Sequence, residues 1–348
     1  MDKDLSSIQE ARDQIARAYA AWQAWSHASQ ADVDRVCAAM AEAGYQASER
    51  LGRLANEETG YGVAAHKKLK NQFASRRVWE SIASLKTVGV IRHDAERRLY
   101  EIAWPMRVVA ALVPSTNPTS TALFKALIAV KARNAIILSP HPSAVRCIND
   151  AAQTVAAAAE NAGAPPGLIG CLNQVSLQGT QELMSHRHTA LILATGGSAM
   201  VKAAHSTGKP AYGVGPGNVP VYVDRSADVQ QAARYIVASK SFDYSTICAT
   251  EQSVIADRPI AAQLAALMQA EGAYFTSPAE TDLLRRALFH TDRSMNTDVV
   301  GKSAAYVAGY AGFEIPAGTS RSHTRNSPPC WAGMRRTAGS RAAKFPSR

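Results

Sequence analysis

Cys248 is the residue of this chain best placed to act as a nucleophile. It sits in Ser241-Phe-Asp-Tyr-Ser-Thr-Ile-Cys-Ala-Thr-Glu-Gln-Ser-Val-Ile255, between a predicted helix over 228–240 and a predicted strand over 251–256. A thiol attacks carbon as the thiolate, which forms most readily near helix ends and clustered backbone N–H groups. A free cysteine is also a common small core residue, so position alone leaves both roles open. Asn117 lies in Pro114-Ser-Thr-Asn-Pro-Thr-Ser-Thr121, where a strand gives way to a helix. Its side chain either caps that helix or aims an amide donor into a site. Ser139-Pro140-His141-Pro-Ser143 is a second strand-to-helix junction, readable as a rigid proline turn or as a nucleotide ribose or phosphate contact. Thr195-Gly196-Gly197-Ser198 is a third, where small residues let backbone N–H groups approach a pyrophosphate. It is not GxGxxG, and a lone Gly-Gly pair carries little weight by itself.

The elements that position these residues follow from hydrophobic period. Residues 5–58 read as helices, with Ile8, Ala11, Ile15, Ala18 and Trp22 at helical spacing. Lys67-Lys-Leu-Lys70 reads as a solvated helix face, 79–90 as continued helix and 97–104 as an extended arm. From Arg107 the pattern alternates. Strands over 107–113, 134–139, 167–172 and 190–194 are separated by helices over 119–131, 143–162 and 180–186, and a helix over 198–205 leads into a Gly-interrupted extended segment, 210–224. Apolar strands separated by helices predict a doubly wound parallel α/β sheet, which binds ligands at the carboxyl ends of its strands. Beyond Cys248, helices are predicted over 260–272 and 279–290. Residues 296–301, 304–309 and 313–319 read as loop and strand pieces of a second domain.

Composition limits the alternatives. The 348 residues leave room for two domains. The five cysteines, Cys37, Cys147, Cys171, Cys248 and Cys330, are scattered, odd in number and without CxxC spacing. That argues against a disulfide framework or a metal site and fits a reducing, cytoplasmic setting. No apolar run reaches membrane-spanning length, and the N-terminus lacks a signal-peptide pattern. The formal charge of +10 suggests nucleic acid until its distribution is considered. Residues 320–348 hold seven of the 38 Lys and Arg and none of the 28 Asp and Glu, so the rest of the chain carries only +3. The basic balance belongs to an aperiodic tail, expected to be disordered, and a nucleic-acid role ranks last.

With these motifs in this order, the chain resembles the CoA-acylating aldehyde dehydrogenases, of the acetaldehyde or sulfoacetaldehyde dehydrogenase type, over residues 5–319. The resemblance rests on 113–121, 139–142, Leu193-Ala-Thr-Gly-Gly197, Gly208-Lys-Pro210, Gly213-Val-Gly-Pro-Gly-Asn218 and 247–255. It implies NAD(P)-dependent oxidation of a short aldehyde to its acyl-CoA, and the reverse, by a homo-oligomer. Cys248 falls where the family's nucleophile lies, and Asn117 where an amide stabilises the oxyanion with the Cys248 backbone N–H. Ser139, Pro140, His141, Thr195, Gly196, Gly197 and Gly215 fall among the contacts to NAD or NADP. Hydrolytic members of the superfamily carry a glutamate where this chain has Val214. Without a general base to activate water, a thioester survives for coenzyme A thiolate. The 139–146 turn contains no acid to select NAD through a ribose hydroxyl, so NADP stays open beside NAD.

The resemblance implies four regions: an N-terminal helical region and arm (1–105) packing on the cofactor domain, a dinucleotide-binding domain (106–240), a partial catalytic domain (241–319) and the tail (320–348). The family pattern stops at Thr319, short of the segment used in oligomerisation. A reading-frame change there is the economical explanation, and an inactive remnant retaining nucleotide binding is the alternative function.

Overall fold

The apolar run ending at Val113 is the central strand of a parallel sheet, and the first half of the chain is wound about it. The structure, a computed structural model, describes residues 2–215, 217, 219–316 and 319; the tail, with Cys330, lies outside the described residues. First come helices α1 (Lys3–Trp25), α2 (Gln30–Gln46), α3 (Ser48–Thr59) and α4 (Ala64–Gln72). A π-helical turn at Phe73–Arg77 leads into α5 (Val78–Ile82), followed by the antiparallel hairpin β1 (Gly89–Asp94) and β2 (Leu99–Ala103). Then alternate β3 (Val108–Val113), α6 (Pro118–Lys131), β4 (Ala135–Pro140), α7 (Val145–Asn161) and β5 (Ile169–Cys171). The series closes with α8 (Leu177–Ser185), β6 (Thr189–Thr195), α9 (Ser198–His205) and β7 (Ala211–Val214).

Strands β3 to β7 form one sheet in the order β5-β4-β3-β6-β7, every pair parallel. The order reverses between β3 and β6, which opens a crevice at their carboxyl ends. All six residues of β3 and all six of β4 are buried, which is why neither run alternates in sequence. The N-terminal helices share this core. Ala11, Ile15, Ala18 and Trp25 of α1 are buried, and Trp25 Nε1 donates to Val130 O of α6 at 3.4 Å. A capping box between Ser29 and Asp32 starts α2.

The chain divides into two compact units, Met1–Pro216 and Gly217–Arg348. The second holds β8 (Val219–Val223), α10 (Val229–Ser241), β9 (Glu251–Ala256), α11 (Arg258–Ala270), α12 (Pro278–Leu288) and α13 (Ala304–Ala311). β8 and β9 pair in parallel across the α10 crossover, and Val223, Ala233, Ile236, Val237, Leu264 and Met268 form their core. The expected boundary after residue 240 therefore lies inside this unit: Ala233, Ile236 and Val237 of α10 are core to it.

Two element predictions differ from the structure. The helix expected over 79–90 ends at Ile82, and β1 begins at Gly89, whose φ of 70° is one that side chains with a Cβ rarely adopt. Residues 304–309, expected as loop or strand, are helix α13. Ser303 accepts from Tyr306 N at its start, and Gly312 closes it at φ 90°.

One buried lysine ties the sheet together at the reversal. Lys125 of α6 is 4% exposed, and its Nζ donates to Leu112 O at 2.7 Å and Leu193 O at 2.8 Å. These carbonyls belong to β3 and β6, the two strands that flank the crevice. Burial lowers the Lys125 pKa to about 7, and the two N–H bonds of the neutral amine match the two carbonyls. Between pH 7 and the ordinary lysine value near 10.5, the unfolded chain binds a proton that the folded chain does not. The stability contributed by this site therefore rises with pH across that window and is lost as pH falls toward 7. Denaturant unfolding from pH 7 to 10 should show the unaltered chain gaining on Lys125→Met, at up to about 1.4 kcal/mol per pH unit. A constant difference would contradict the assignment.

Candidate active site

The carboxyl ends of β3, β4, β6 and β7 bring most of the residues singled out in the sequence to one edge of the sheet. At the end of β3, Asn117 occupies the cap position of α6 at φ −134°, ψ 57°, yet its side chain makes no capping hydrogen bond. Its Oδ1 accepts from Lys70 Nζ at 2.6 Å, and its Nδ2 donates to Thr116 Oγ1 at 3.2 Å. The first of the two readings of Asn117, a helix cap, is therefore not the one the structure adopts.

The charge run on α4 is not a solvated face. Lys67 and Lys70 are buried, at 2% and 8% exposure; Lys68 alone of the three pairs at the surface, with Glu49 at 2.7 Å. Lys67 Nζ donates to Thr116 O at 3.3 Å. Asn71 Nδ2 donates to Ser48 O at 3.0 Å, while Asn71 Oδ1 accepts from Thr119 Oγ1 at 2.8 Å. Spacing i, i+3, i+4 puts Lys67, Lys70 and Asn71 on one helix face, which the sequence did show. What it did not show is that the face turns inward, onto polar groups of the β3–α6 turn.

At the end of β4, Ser139 and Pro140 are buried, and the Ser139 hydroxyl lies 2.9 Å from Thr180 Oγ1. The Ser139 side chain is thus committed to the protein interior. His141 is exposed, with Nδ1 2.8 Å from Ser143 Oγ, and the protein crowded around the ring lowers its pKa. The acid missing from the 139–146 turn comes from elsewhere: Glu58 of α3 accepts from Arg146 N at 2.9 Å and Cys147 N at 2.7 Å, at the start of α7. Nothing near residue 146 in sequence signals that partner.

β6 ends at Thr195, paired with Val214 of β7, and Gly196 N donates to Val214 O at 3.2 Å. Val214 is exposed and apolar. Gly213 is required by packing: a Cβ there would lie 2.4 Å from Val201 Cγ1 and 2.9 Å from His205 Nε2 of α9. Gly197 and Gly215 differ. Neither has a positive φ, and an added Cβ would meet nothing within 4 Å.

Cys248 belongs to the second unit. It is exposed, in a turn between the kinked segment Phe242–Ser245 and β9. Asp243, Tyr244 and Ser245 all hold left-handed φ values, 50°, 50° and 62°, a costly run for residues with a Cβ. Side chains hold it in place. Thr246 Oγ1 donates to the buried Asp243 Oδ2 at 2.6 Å, Ser245 Oγ lies 3.0 Å from Thr250 Oγ1, and Thr250 Oγ1 donates to Ile247 O at 3.1 Å. The backbone at Gly217 passes so near that a Cβ there would be 2.9 Å from Cys248 O.

A cavity of about 510 Å³, lined by Trp22, Trp104, Arg107, Arg187 and Lys209 among others, lies instead at the amino ends of β3, β6 and β7. It contains none of the residues above. Among the described residues no three His, Cys, Asp or Glu side chains converge as a metal site requires, and no helix is long and apolar enough to cross a membrane.

Comparison with known proteins places the chain in a family. The sequence profile of the aldehyde dehydrogenase family matches residues 4–280. An aldehyde-alcohol dehydrogenase of Streptococcus pneumoniae is 46% identical over 286 residues, 80% of this chain and 32% of its own length. A succinate-semialdehyde dehydrogenase (acetylating) of Clostridium kluyveri is 38% identical, over 84% of this chain and 64% of its own. Among solved structures, an acetylating aldehyde dehydrogenase from Geobacillus thermoglucosidasius superposes with a TM-score of 0.88 at 49% identity, covering 91% of this chain and 70% of that one. The chain thus spans about a third of the length of the aldehyde-alcohol dehydrogenases that it matches.

The four described cysteines differ sharply. Cys37, Cys147 and Cys171 are buried, and burial raises their thiol pKa values, that of Cys37 to about 12. In a Cys330→Ser background at pH 8, iodoacetamide should label one thiol rapidly, and Cys248→Ala should abolish that phase. Rapid labelling of a second site would contradict the burial pattern.

Proposed function

Because the chain belongs to the aldehyde dehydrogenase family, we propose that it oxidises a short aldehyde to the acyl-CoA thioester with NAD or NADP, and runs the reverse. The observation that carries this reading is Cys248: of the described cysteines it is the exposed one, in a turn braced by hydroxyl contacts. In the proposed reaction its thiolate adds to the aldehyde carbonyl, and the carbonyl oxygen takes up negative charge. The Asn117 amide and the Cys248 backbone N–H would receive that charge, interactions that strengthen as the oxyanion forms. The reading therefore requires Asn117 and Cys248 to serve the same carbonyl. A bound nicotinamide dinucleotide would supply the hydride acceptor. Once hydride is lost, the substrate carbon remains on Cys248 as a thioester. With valine at 214 that position offers no carboxylate to activate water, so the acyl group would wait for the coenzyme A thiolate.

The dinucleotide would lie along the β4 and β6 ends, held by His141, the backbone of Ser139, Pro140 and Thr195, and Gly196, Gly197 and Gly215. The residues fit such a ligand on one physical ground. The fold does not need glycine at 197 or 215, since backbone and space there would accept alanine, whereas close approach of a pyrophosphate to the backbone would need it. The Glu58 carboxylate at the start of α7 sets a negative charge beside the His141 turn. That charge favours NAD, because the extra 2′-phosphate of NADP would meet it.

The names of relatives, which print succinate semialdehyde, sulfoacetaldehyde and propionaldehyde, support a short aldehyde as the substrate class. Unpaired cysteines fit a reducing, cytoplasmic setting. A homo-oligomer would find apolar surface on the β1–β2 hairpin, where Val90, Ile91, Leu99, Tyr100 and Ile102 are exposed. A second reading, a chain that binds nucleotide without turnover, is favoured by one observation. Among the described residues, the parallel sheet of the Cys248 unit has only two strands and leaves Tyr222 and Ile255 exposed.

Reduced-cofactor absorbance with a short aldehyde, coenzyme A and NAD or NADP separates the two readings. Turnover should appear, depend on coenzyme A and fall at least about 1,000-fold in Cys248→Ala. Dinucleotide binding without turnover would support the second reading. Gly197→Ala should leave the melting temperature unchanged while weakening dinucleotide binding about tenfold, the scale of one lost contact. Unchanged affinity would remove Gly197 from the site.

A further inference from the structure

An asparagine amide has two ends of nearly equal size, and only the Nδ2 end can serve an oxyanion. Lys70 decides which end faces where. A charged lysine can only donate, and its Nζ lies 2.6 Å from Asn117 Oδ1. Reversing the amide would set N–H against ammonium, two donors face to face in a buried space. Nδ2 therefore points away from the lysine, giving one hydrogen to Thr116 Oγ1. The lysine is itself held: it is 8% exposed on α4, flanked by Lys67 on Thr116 O and by Asn71 on Thr119. Three contacts from one helix face thus grip three successive parts of the turn that carries Asn117.

We propose that Lys70 is a positioning residue for the reaction: by donating to Asn117 Oδ1 it fixes the amide with Nδ2 toward the substrate oxygen and polarises that N–H. Polarisation follows because hydrogen bonds in a chain reinforce one another at low local dielectric. The inference rests on the reading of Asn117 as the oxyanion donor. Lys70 acts through Asn117, so its effect should vanish when the amide is removed.

Lys70→Met keeps most of the stem and deletes donor and charge. It should lower kcat about 10–100-fold while aldehyde KM moves less than about twofold, since the lost interaction belongs to the transition state. In an Asn117→Ala background the same substitution should cost nothing further. Equal losses in both backgrounds would mark a packing role and overturn the proposal, as would no loss in the unaltered chain. Lys70→Gln, which keeps an amide donor, should recover part of the rate, and it carries the same comparison if Lys70→Met does not fold. A second readout needs no turnover. In isotope-labelled protein, the Asn117 side-chain NH2 resonances, identified by their loss in Asn117→Asp, should move in Lys70→Met toward those of an unconstrained asparagine. Unmoved resonances would overturn the proposal. If the unaltered chain shows no turnover, the functional reading fails, while these resonances still decide whether Lys70 orients the amide.

Discussion

Buried lysine amino groups hold the carboxyl end of β3, and the candidate chemistry of the first unit depends on them. Lys125 joins Leu112 O to Leu193 O across the point where strand order reverses, Lys67 holds Thr116 O, and Lys70 holds Asn117 Oδ1. Lysine is among the residues least often buried, and an uncompensated buried charge is costly. Each of these three has a polar oxygen within reach, at 2.6 to 3.3 Å. The arrangement trades some stability for a fixed geometry at the strand ends. Catalytic amides act through such preorganisation, because they need no rearrangement as charge develops.

The same edge bears on the fate of an acyl group. Val214 pairs with Thr195 and receives the Gly196 N–H, so its backbone is part of the sheet while its side chain is apolar and exposed. In the proposed reaction an acid on that side chain would turn a thioester toward water, and valine would leave acyl transfer to a stronger nucleophile. Cys248 depends on a different device, a run of three left-handed residues braced by Thr246, Ser245 and Thr250. Strain of that kind persists only where surrounding contacts over-determine it.

Much of this was legible in sequence, for identifiable reasons. β3 and β4 are buried along their whole length, so their continuous apolar runs could be distinguished from amphipathic helices, and α10 and β9 fall within a residue of the expected bounds. Asn117, His141 and Thr195 were visible because strand ends open sites in sheets of this kind. Lys67 and Lys70 were misread because a run of cations carries no mark of burial; only the packing of α4 on the 115–119 turn reveals it. Glu58 was missed because it reaches α7 from α3, across 88 residues of sequence. The α13 helix was missed because its apolar face is short, although Ser303 and Gly312 were there as start and stop signals.

The central claim is that Cys248 carries an acyl group which water does not readily remove. Intact-mass analysis of the chain mixed with a short aldehyde and oxidised dinucleotide, without coenzyme A, tests it directly. A single acyl adduct on Cys248 should persist in buffer and be discharged on adding coenzyme A. An adduct on another residue, or one lost to water as fast as to coenzyme A, would contradict it.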